Sequence, residues 1–324
     1  MKPVLVFGHK NPDNDSITAA TAYAHLKNLT DPERHYIPVR LGNTPPDSEY
    51  TFERFGLELP IFVPALDEAS LAKTEELKEY ADSEDKWQVI LVDHNELAQT
   101  ADGIENVEIV EIIDHHRAGD IQTPNPILFV SVPIGSTASV VTLMYKYLGI
   151  EITPALAGIL LGALLTDTVL LKSPTATPKD AEIAAELAAI LDLDYMTYGA
   201  EIFEAKSAGQ IFDPVEIINR DLKEFVGSTK RIAIGQFEAV SLKDLEANRE
   251  QVFESMEALR VERDLAALAL MATDIVKEGT ELLVVGELAL ARAAFGDDFE
   301  GGSAWLAGVL SRKKQVAPRF MEII

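Results

Sequence analysis

Cysteine is absent from this 324-residue chain. Its absence excludes disulfide bonds, thiolate metal ligands and a thiol nucleophile together. Cations are scarce: 28 Lys and Arg stand against 53 Asp and Glu, a formal net charge of −25. Nucleic-acid binders carry basic faces toward the phosphate backbone, so this charge argues against a polyanion such as DNA as the main partner. It does not exclude a small anionic substrate, because a few fixed cations and bound metal reverse the field locally. No uninterrupted apolar run approaches the roughly 20 residues a membrane helix needs; Ala155 to Leu165 is too short, and Asp167 closes it. The opening residues Met1-Lys2-Pro3-Val4 lead into neither a long apolar segment nor a small-residue cleavage site, so no secretory leader is expected and the cytoplasm is the expected compartment. Internal repeats and low-complexity segments are also missing.

What remains is a chain with 47% hydrophobic residues, long enough for two domains with a core each. The first part alternates apolar runs with helical patterns. Strands are expected over 4–8, 36–40, 89–92 and 109–113, and helices from Ser16, over 49–55, 71–82, 136–147, 154–165 and, after Pro178 at a first helical position, 180–191. Apolar strands alternating with helices predict an α/β fold, with a mostly parallel sheet covered by helices on both faces. The run Lys206-Ser207-Ala208-Gly209-Gln210 has linker character. It divides the chain into an N-terminal domain over 1–206, a linker over 207–212 and a smaller C-terminal α/β domain over 213–324. In the latter, strands are expected over 222–226, 231–237, 265–273 and 282–285, an amphipathic helix over 242–260, and a short helix over 305–310.

Three short acidic-histidine clusters each close an apolar run: Gly8-His9-Lys10-Asn11-Pro12-Asp13-Asn14-Asp15, Asp93-His94-Asn95 and Asp114-His115-His116. Parallel strands bring their carboxyl ends to one sheet edge, where open α/β folds place their sites. Carboxylates and imidazoles converging there bind metal. Each cluster alone has a plainer reading, Asp93-His94-Asn95 as a helix cap for example, but three in order do not. Asp167, ending the apolar helix, supplies one more carboxylate. His9, Asp13, Asp15, Asp93, His115 and Asp167 make a sulfur-free donor set that favours Mn²⁺ or Mg²⁺. Two such ions about 3.5–4 Å apart can share a carboxylate and a hydroxide, as in phosphoryl hydrolysis. His25 and His35 lie outside these motifs.

With Ser311-Arg312-Lys313-Lys314-Gln315 near the end, the set resembles the family II inorganic pyrophosphatases, the manganese-dependent members of the superfamily named for its Asp-His-His motif. The resemblance runs over nearly the whole chain and takes in Val39-Arg40-Leu41-Gly42, Lys172-Ser173-Pro174-Thr175 and Leu222-Lys223-Glu224-Phe225. It implies an N-terminal metal domain, a flexible linker and a C-terminal domain closing over pyrophosphate. It implies two or more Mn²⁺ per subunit, with Mg²⁺ or Co²⁺ as substitutes. His9, Asp13 and Asp93 would hold one ion, and Asp15, Asp93, His115 and Asp167 the other, with Asp93 bridging. His116, Lys223, Arg312 and Lys313 would bind substrate and act in catalysis. A homodimer through the N-terminal domain is implied as well.

The chemistry agrees with that resemblance. Pyrophosphate repels an anionic nucleophile unless metals neutralise it, and attack by a metal-bridging hydroxide needs no covalent intermediate. Arg312 can offer a bidentate contact to phosphate. Two rivals follow. An exopolyphosphatase or nucleotide phosphodiesterase of the same superfamily would carry a glycine-rich segment with histidine in the C-terminal domain; this chain has only Gly301-Gly302-Ser303 there, and no histidine beyond His116. A non-catalytic regulatory binding protein would lack a metal ligand or a phosphate-binding cation, and none is lacking.

Overall fold

The computed structural model describes residues 2–80, 83, 85–207, 212–219, 221–296, 299 and 301–324. The chain forms two compact units, Met1–Ala208 and Gly209–Ile324. Most of the expected linker, 208–211 within 207–212, lies outside the described residues.

The first unit runs β1 (Val4–Phe7), α1 (Asn14–Thr30), β2 (Tyr36–Arg40), α2 (Pro46–Phe55), β3 (Ile61–Phe62), α3 (Glu68–Lys73), β4 (Gln88–Val92), β5 (Glu108–Asp114) and β6 (Leu128–Ser131). The helices α4 (Thr137–Leu148), α5 (Pro154–Asp167), α6 (Pro178–Leu191) and α7 (Tyr195–Ser207) follow. Six parallel strands lie in the order β3-β2-β1-β4-β5-β6. Leu5, Phe7, Val89 and Leu91 pack into one core layer with Leu71, Leu77 and Trp87. The alternate residues Val4, Val6, Ile90 and Val92 are equally buried, as the two-residue period of a strand covered on both faces demands. The chain builds outward from β1 through β2 to β3, then returns to the other side of β1 for β4, β5 and β6. The order therefore reverses between β1 and β4, and a crevice opens beyond their carboxyl ends.

Local details differ from the sequence expectations for physical reasons. Helix α1 begins at Asn14, not Ser16, because the Asp13 side chain caps it by accepting the Ser16 N–H at 2.9 Å. Asp15 thus sits in the first helical turn instead of on a loop. The helix expected over 71–82 is only the six-residue α3, capped by Asp67 and stopped at Thr74, where the backbone turns extended; a separate 3₁₀ turn covers 78–80. Residues 81 and 82 lie outside the described set. Helix α5 is buried on all sides from Leu156 to Thr166. Gly158 allows the close approach of α2: a Cβ there would stand 2.3 Å from the Phe55 ring.

Directly after α5, Val169, Leu170 and Leu171 all have left-handed backbone, φ 47°, 55° and 65°. Side chains beyond glycine disfavour this region by about 1–2 kcal/mol per residue. The turn is held by Thr168, whose hydroxyl donates to the Leu164 carbonyl at 2.6 Å and accepts from the Leu171 N–H at 3.1 Å. Leu170 is buried against Gly199.

The second unit comprises α8 (Pro214–Asn219), β7 (Lys223–Val226), β8 (Arg231–Ala239), α9 (Lys243–Ala247), α10 (Arg249–Glu262), β9 (Ala267–Asp274), β10 (Gly279–Gly286), α11 (Leu288–Phe295), β11 (Ser303–Ala307) and α12 (Ala317–Met321). Its mixed sheet has the order β11-β10-β9-β8-β7, with β8 and β9 the parallel pair. Leu268, Leu270 and Ala272 of the central strand face α8 and α10, while Ala267, Ala269 and Met271 face α11 and α12. The helix expected over 242–260 is broken at Asn248 into α9 and α10. The helix expected over 305–310 is instead the edge strand β11, whose Trp305 lies over Gly279 of β10. Gly301, Gly302 and Gly308, all at positive φ, bound it as turns. Both units thus have helices on both faces of a sheet, the α/β class expected. Among the described residues, no helix is long and apolar enough to cross a membrane.

Candidate metal centre

Every expected ligand of the first unit stands at the β1–β4 crevice or just beside it. Asp93 follows β4 in left-handed backbone, φ 60°, a conformation Asp tolerates better than most residues. Its two oxygens face opposite imidazoles: Oδ2 lies 3.5 Å from His9 Nε2 and Oδ1 lies 3.5 Å from His115 Nε2. His9 Nε2 is also 3.4 Å from Asp13 Oδ2, and His115 Nε2 is 3.4 Å from Asp167 Oδ2. Two groups result, His9–Asp13–Asp93 and Asp15–His115–Asp167; in each, one donor atom per residue falls within 4.8 Å of the others. Asp93, His115 and His116 make a third such group.

Neighbouring groups orient each donor. Asp13 divides its oxygens, one capping α1 and the other toward His9. Asp15, fully buried, accepts the N–H groups of Thr137 at 2.6 Å and Ala138 at 2.8 Å, donors of α4's first turn that have no partner within the helix. Thr137 Oγ1 donates to Asp93 Oδ1 at 3.0 Å. His115 donates from Nδ1 to the Ile134 carbonyl at 2.9 Å, which turns Nε2 toward the carboxylates. Asp114 faces the protein: it accepts from both histidine N–H groups, from His116 Nδ1 and from the Asn95 amide.

The electrostatics point to added positive charge. Burial lowers the pKa of His9, yet the Asp13 and Asp93 carboxylates outweigh it and push it up to about 10. Burial likewise opposes a charged His115, and the neighbouring Asp93 and Asp15 carboxylates push it up to about 10. Asp167 is pushed up to about 7 by burial and by the Asp93 charge. Asp15 rises for the same reasons, while His115 and His9 hold Asp93 low against burial. Four carboxylates this close favour any cation. His115 Nε2 supplies the test of fit: it is buried, has no hydrogen-bond partner, and faces carboxylates on two sides. An orphaned imidazole nitrogen among carboxylates, with its other nitrogen fixed by a carbonyl, suits a divalent ion.

In the second unit, Lys223, Arg312 and Lys313 line one cavity of about 280 Å³ with Phe225, Ala317, Pro318 and Met321. They are not equivalent. Arg312 is buried, and its guanidinium donates to the Asp221 backbone carbonyl, to the Ile234 carbonyl at 3.1 Å and to the Asp221 carboxylate at 2.7 Å. Lys223 and Lys313 are exposed, and neither ammonium has a partner among the described residues. Gln315 fixes the approach to this run by accepting from the Leu310 and Ser311 N–H groups.

Sequence reasoning passed over several residues that shape the centre. Asn14 bridges three helices, accepting from Ser48 and Thr51 of α2 and donating to Thr166 of α5. Thr137 follows Ser136, the cap of α4, and that helix-start pattern was the available signal. His25 and His35 stay outside the centre; His25 Nδ1 lies 2.9 Å from the Tyr145 hydroxyl.

Comparison with known proteins covers both units. The DHH family, N-terminal domain, matches residues 3–164, and the DHHA2 domain matches residues 200–323. A probable manganese-dependent inorganic pyrophosphatase of Archaeoglobus fulgidus is 42% identical over 97% of this chain and 96% of its own. The manganese-dependent inorganic pyrophosphatase of Methanocaldococcus jannaschii is 38% identical over the same shares. Among solved structures, a putative family II inorganic pyrophosphatase of Methanococcus jannaschii aligns over 99% of both chains at 36% identity, with a TM-score of 0.57. An exopolyphosphatase-related protein of Bacteroides fragilis, 14% identical at a TM-score of 0.50 over 99% of this chain and 92% of its own, shares the fold.

Proposed function

The chain belongs to the manganese-dependent, family II inorganic pyrophosphatases, and from that premise we propose that it hydrolyses pyrophosphate to two phosphates at the β1–β4 crevice. The observation that carries the reading is Asp93, one carboxylate turned to two imidazoles from different clusters. His9, Asp13 and Asp93 would hold one Mn²⁺, and Asp15, Asp93, His115 and Asp167 a second. When bound, such ions supply Lewis acidity, acidifying water and neutralising the charge on phosphate. Asp93 presents both oxygens, and the Thr137 hydroxyl holds their orientation. Asp114 accepts the Nδ1 proton of His116 and raises the ring's pKa, so that the half-exposed ring, when protonated, donates from Nε2 to a phosphate oxygen.

Lys223 and Lys313 are the proposed phosphate contacts of the second unit, since an unpartnered ammonium gives up no ion pair to bind. Arg312 can join them with its remaining donors, or by releasing the Asp221 carboxylate. The homodimer belongs to the first unit in this reading: β6 is a sheet edge with Leu128 and Phe129 each 47% exposed, an edge that invites a second strand.

The test is phosphate release from pyrophosphate, tripolyphosphate and a dinucleotide, each with Mn²⁺, Mg²⁺ or chelator. Pyrophosphate turnover that needs the divalent ion is expected. Turnover confined to the dinucleotide would overturn the reading.

A further inference from the structure

Residues 134–139 are the common support of three ligand candidates. The Ile134 carbonyl takes the His115 Nδ1 proton, the Thr137 and Ala138 N–H groups take the Asp15 carboxylate, and the Thr137 hydroxyl takes Asp93. From behind, the segment rests on one buried carboxylate, Asp180. Its Oδ2 accepts the Gly135 N–H at 2.9 Å and its Oδ1 accepts the Ser139 hydroxyl at 2.7 Å. We propose that Asp180 is a positioning residue of the metal centre, acting through residues 134–139.

Asp180 also has a local role that hides this one. It completes a capping box with Thr177 at the start of α6, where its Oδ2 accepts the Thr177 N–H at 2.8 Å. Capping asks nothing of Gly135 or Ser139, which stand 45 and 41 residues away in sequence. Those two bonds hold the first turn of α4 at a fixed depth. Backbone donors there cannot shift without dragging the Asp15 carboxylate. Gly135 tightens the fit: a Cβ on it would stand 2.8 Å from Asp180 Oδ2 and 2.5 Å from Thr168 Cγ2. Thr168 follows Asp167, so the segment is also wedged against the fourth candidate's turn. Among the described residues Asp180 makes no hydrogen bond to a candidate ligand, and its influence passes through the segment.

The inference rests on the proposed manganese centre, and the test separates the two. Mn²⁺ affinity of the full chain is measured by electron paramagnetic resonance of the free ion, beside the melting temperature of the metal-free protein. Three variants serve: Asp180→Ala; Ser139→Ala, which loses the segment's hydroxyl bond to Asp180 and an acceptor for Ser136; and Thr177→Ala, which loses the cap and one hydroxyl bond to Asp180 Oδ2 but keeps both segment bonds, Gly135 to Oδ2 and Ser139 to Oδ1. Asp180→Ala and Ser139→Ala are expected to weaken Mn²⁺ binding about 10-fold or more, the scale of lost outer-shell partners. Thr177→Ala should lower the metal-free melting temperature and leave Mn²⁺ affinity within about twofold. Equal Mn²⁺ affinity in Ser139→Ala and Thr177→Ala would overturn the inference, and that pair decides it should Asp180→Ala not fold. A wild-type chain that binds no Mn²⁺ would overturn the manganese centre and this inference with it.

Discussion

Asp114 Oδ1 takes the Nδ1 proton of His116 across 2.9 Å, and the same oxygen takes the backbone N–H groups of His115 and His116. A carboxylate offers no proton in return, so the tautomer of His116 is set by a residue that is fully buried. The Asp of the Asp-His-His cluster is therefore a holder of its neighbours. Asp114→Asn can present either an acceptor or a donor to that ring and blurs the choice. A loss of about 10- to 100-fold in kcat is expected, with KM for pyrophosphate little changed. Unchanged steady-state kinetics would count against any role of His116 at phosphate.

Divalent ions should stabilise the first unit strongly, because they relieve repulsion among Asp13, Asp15, Asp93 and Asp167. At a concentration 100 times the dissociation constant, binding adds about 2.7 kcal/mol. In a unit of this size that raises the melting temperature by roughly 5–10 °C. Differential scanning calorimetry with Mn²⁺ and with chelator measures it. Asp93→Ala should abolish most of the shift, since it removes the carboxylate proposed to serve both ions; a full shift in that variant would refute the shared role.

The two exposed lysines and the buried arginine should separate experimentally. Lys313→Ala and Lys223→Ala each remove one charge-assisted contact, worth about 1.5–3 kcal/mol, so kcat/KM should fall roughly 10- to 100-fold while the melting temperature holds. Arg312→Ala also leaves Asp221 and the Ile234 carbonyl without their donor, and its melting temperature should fall as well. If Lys313→Ala turned over pyrophosphate normally, the cations of the second unit would have no part in the reaction.

Phe129→Glu places a charge on the open edge of β6 without touching the crevice. Analytical ultracentrifugation should show a dimer for the wild type and a monomer for the variant. A variant dimer as tight as wild type would move the interface elsewhere.

The sequence made the centre of the first unit legible because two signals coincide there. Apolar runs such as Val4–Phe7 and Gln88–Val92 mark buried strands, and ionisable residues placed directly after them have few other uses. Strand β11 escaped notice because Ala304-Trp305-Leu306-Ala307 does not alternate; only pairing with β10 defines it. The burial of Arg312 was equally hidden. A run of three cations reads as solvated surface, and its carboxylate partner Asp221 is 91 residues away. Asp180 was hidden by a sufficient local explanation, because a Thr-Pro-Lys-Asp capping box accounts for that aspartate without any tertiary bond.

The left-handed turn at Val169, Leu170 and Leu171 inverts the usual rules of tolerance beside Asp167. In an ordinary helix end, β-branched and leucine side chains differ by only a few tenths of a kcal/mol, about the spread of helix propensity. Here handedness decides: Asn or Gly fits the backbone without penalty at 169 and 171, and isoleucine or valine does not. A deep mutational scan would find this stretch reading like a loop of glycines, although it is written in valine and leucine. The chain has kept the bulkier residues at a conformational cost, and Leu170 buried against Gly199 is the visible return on it.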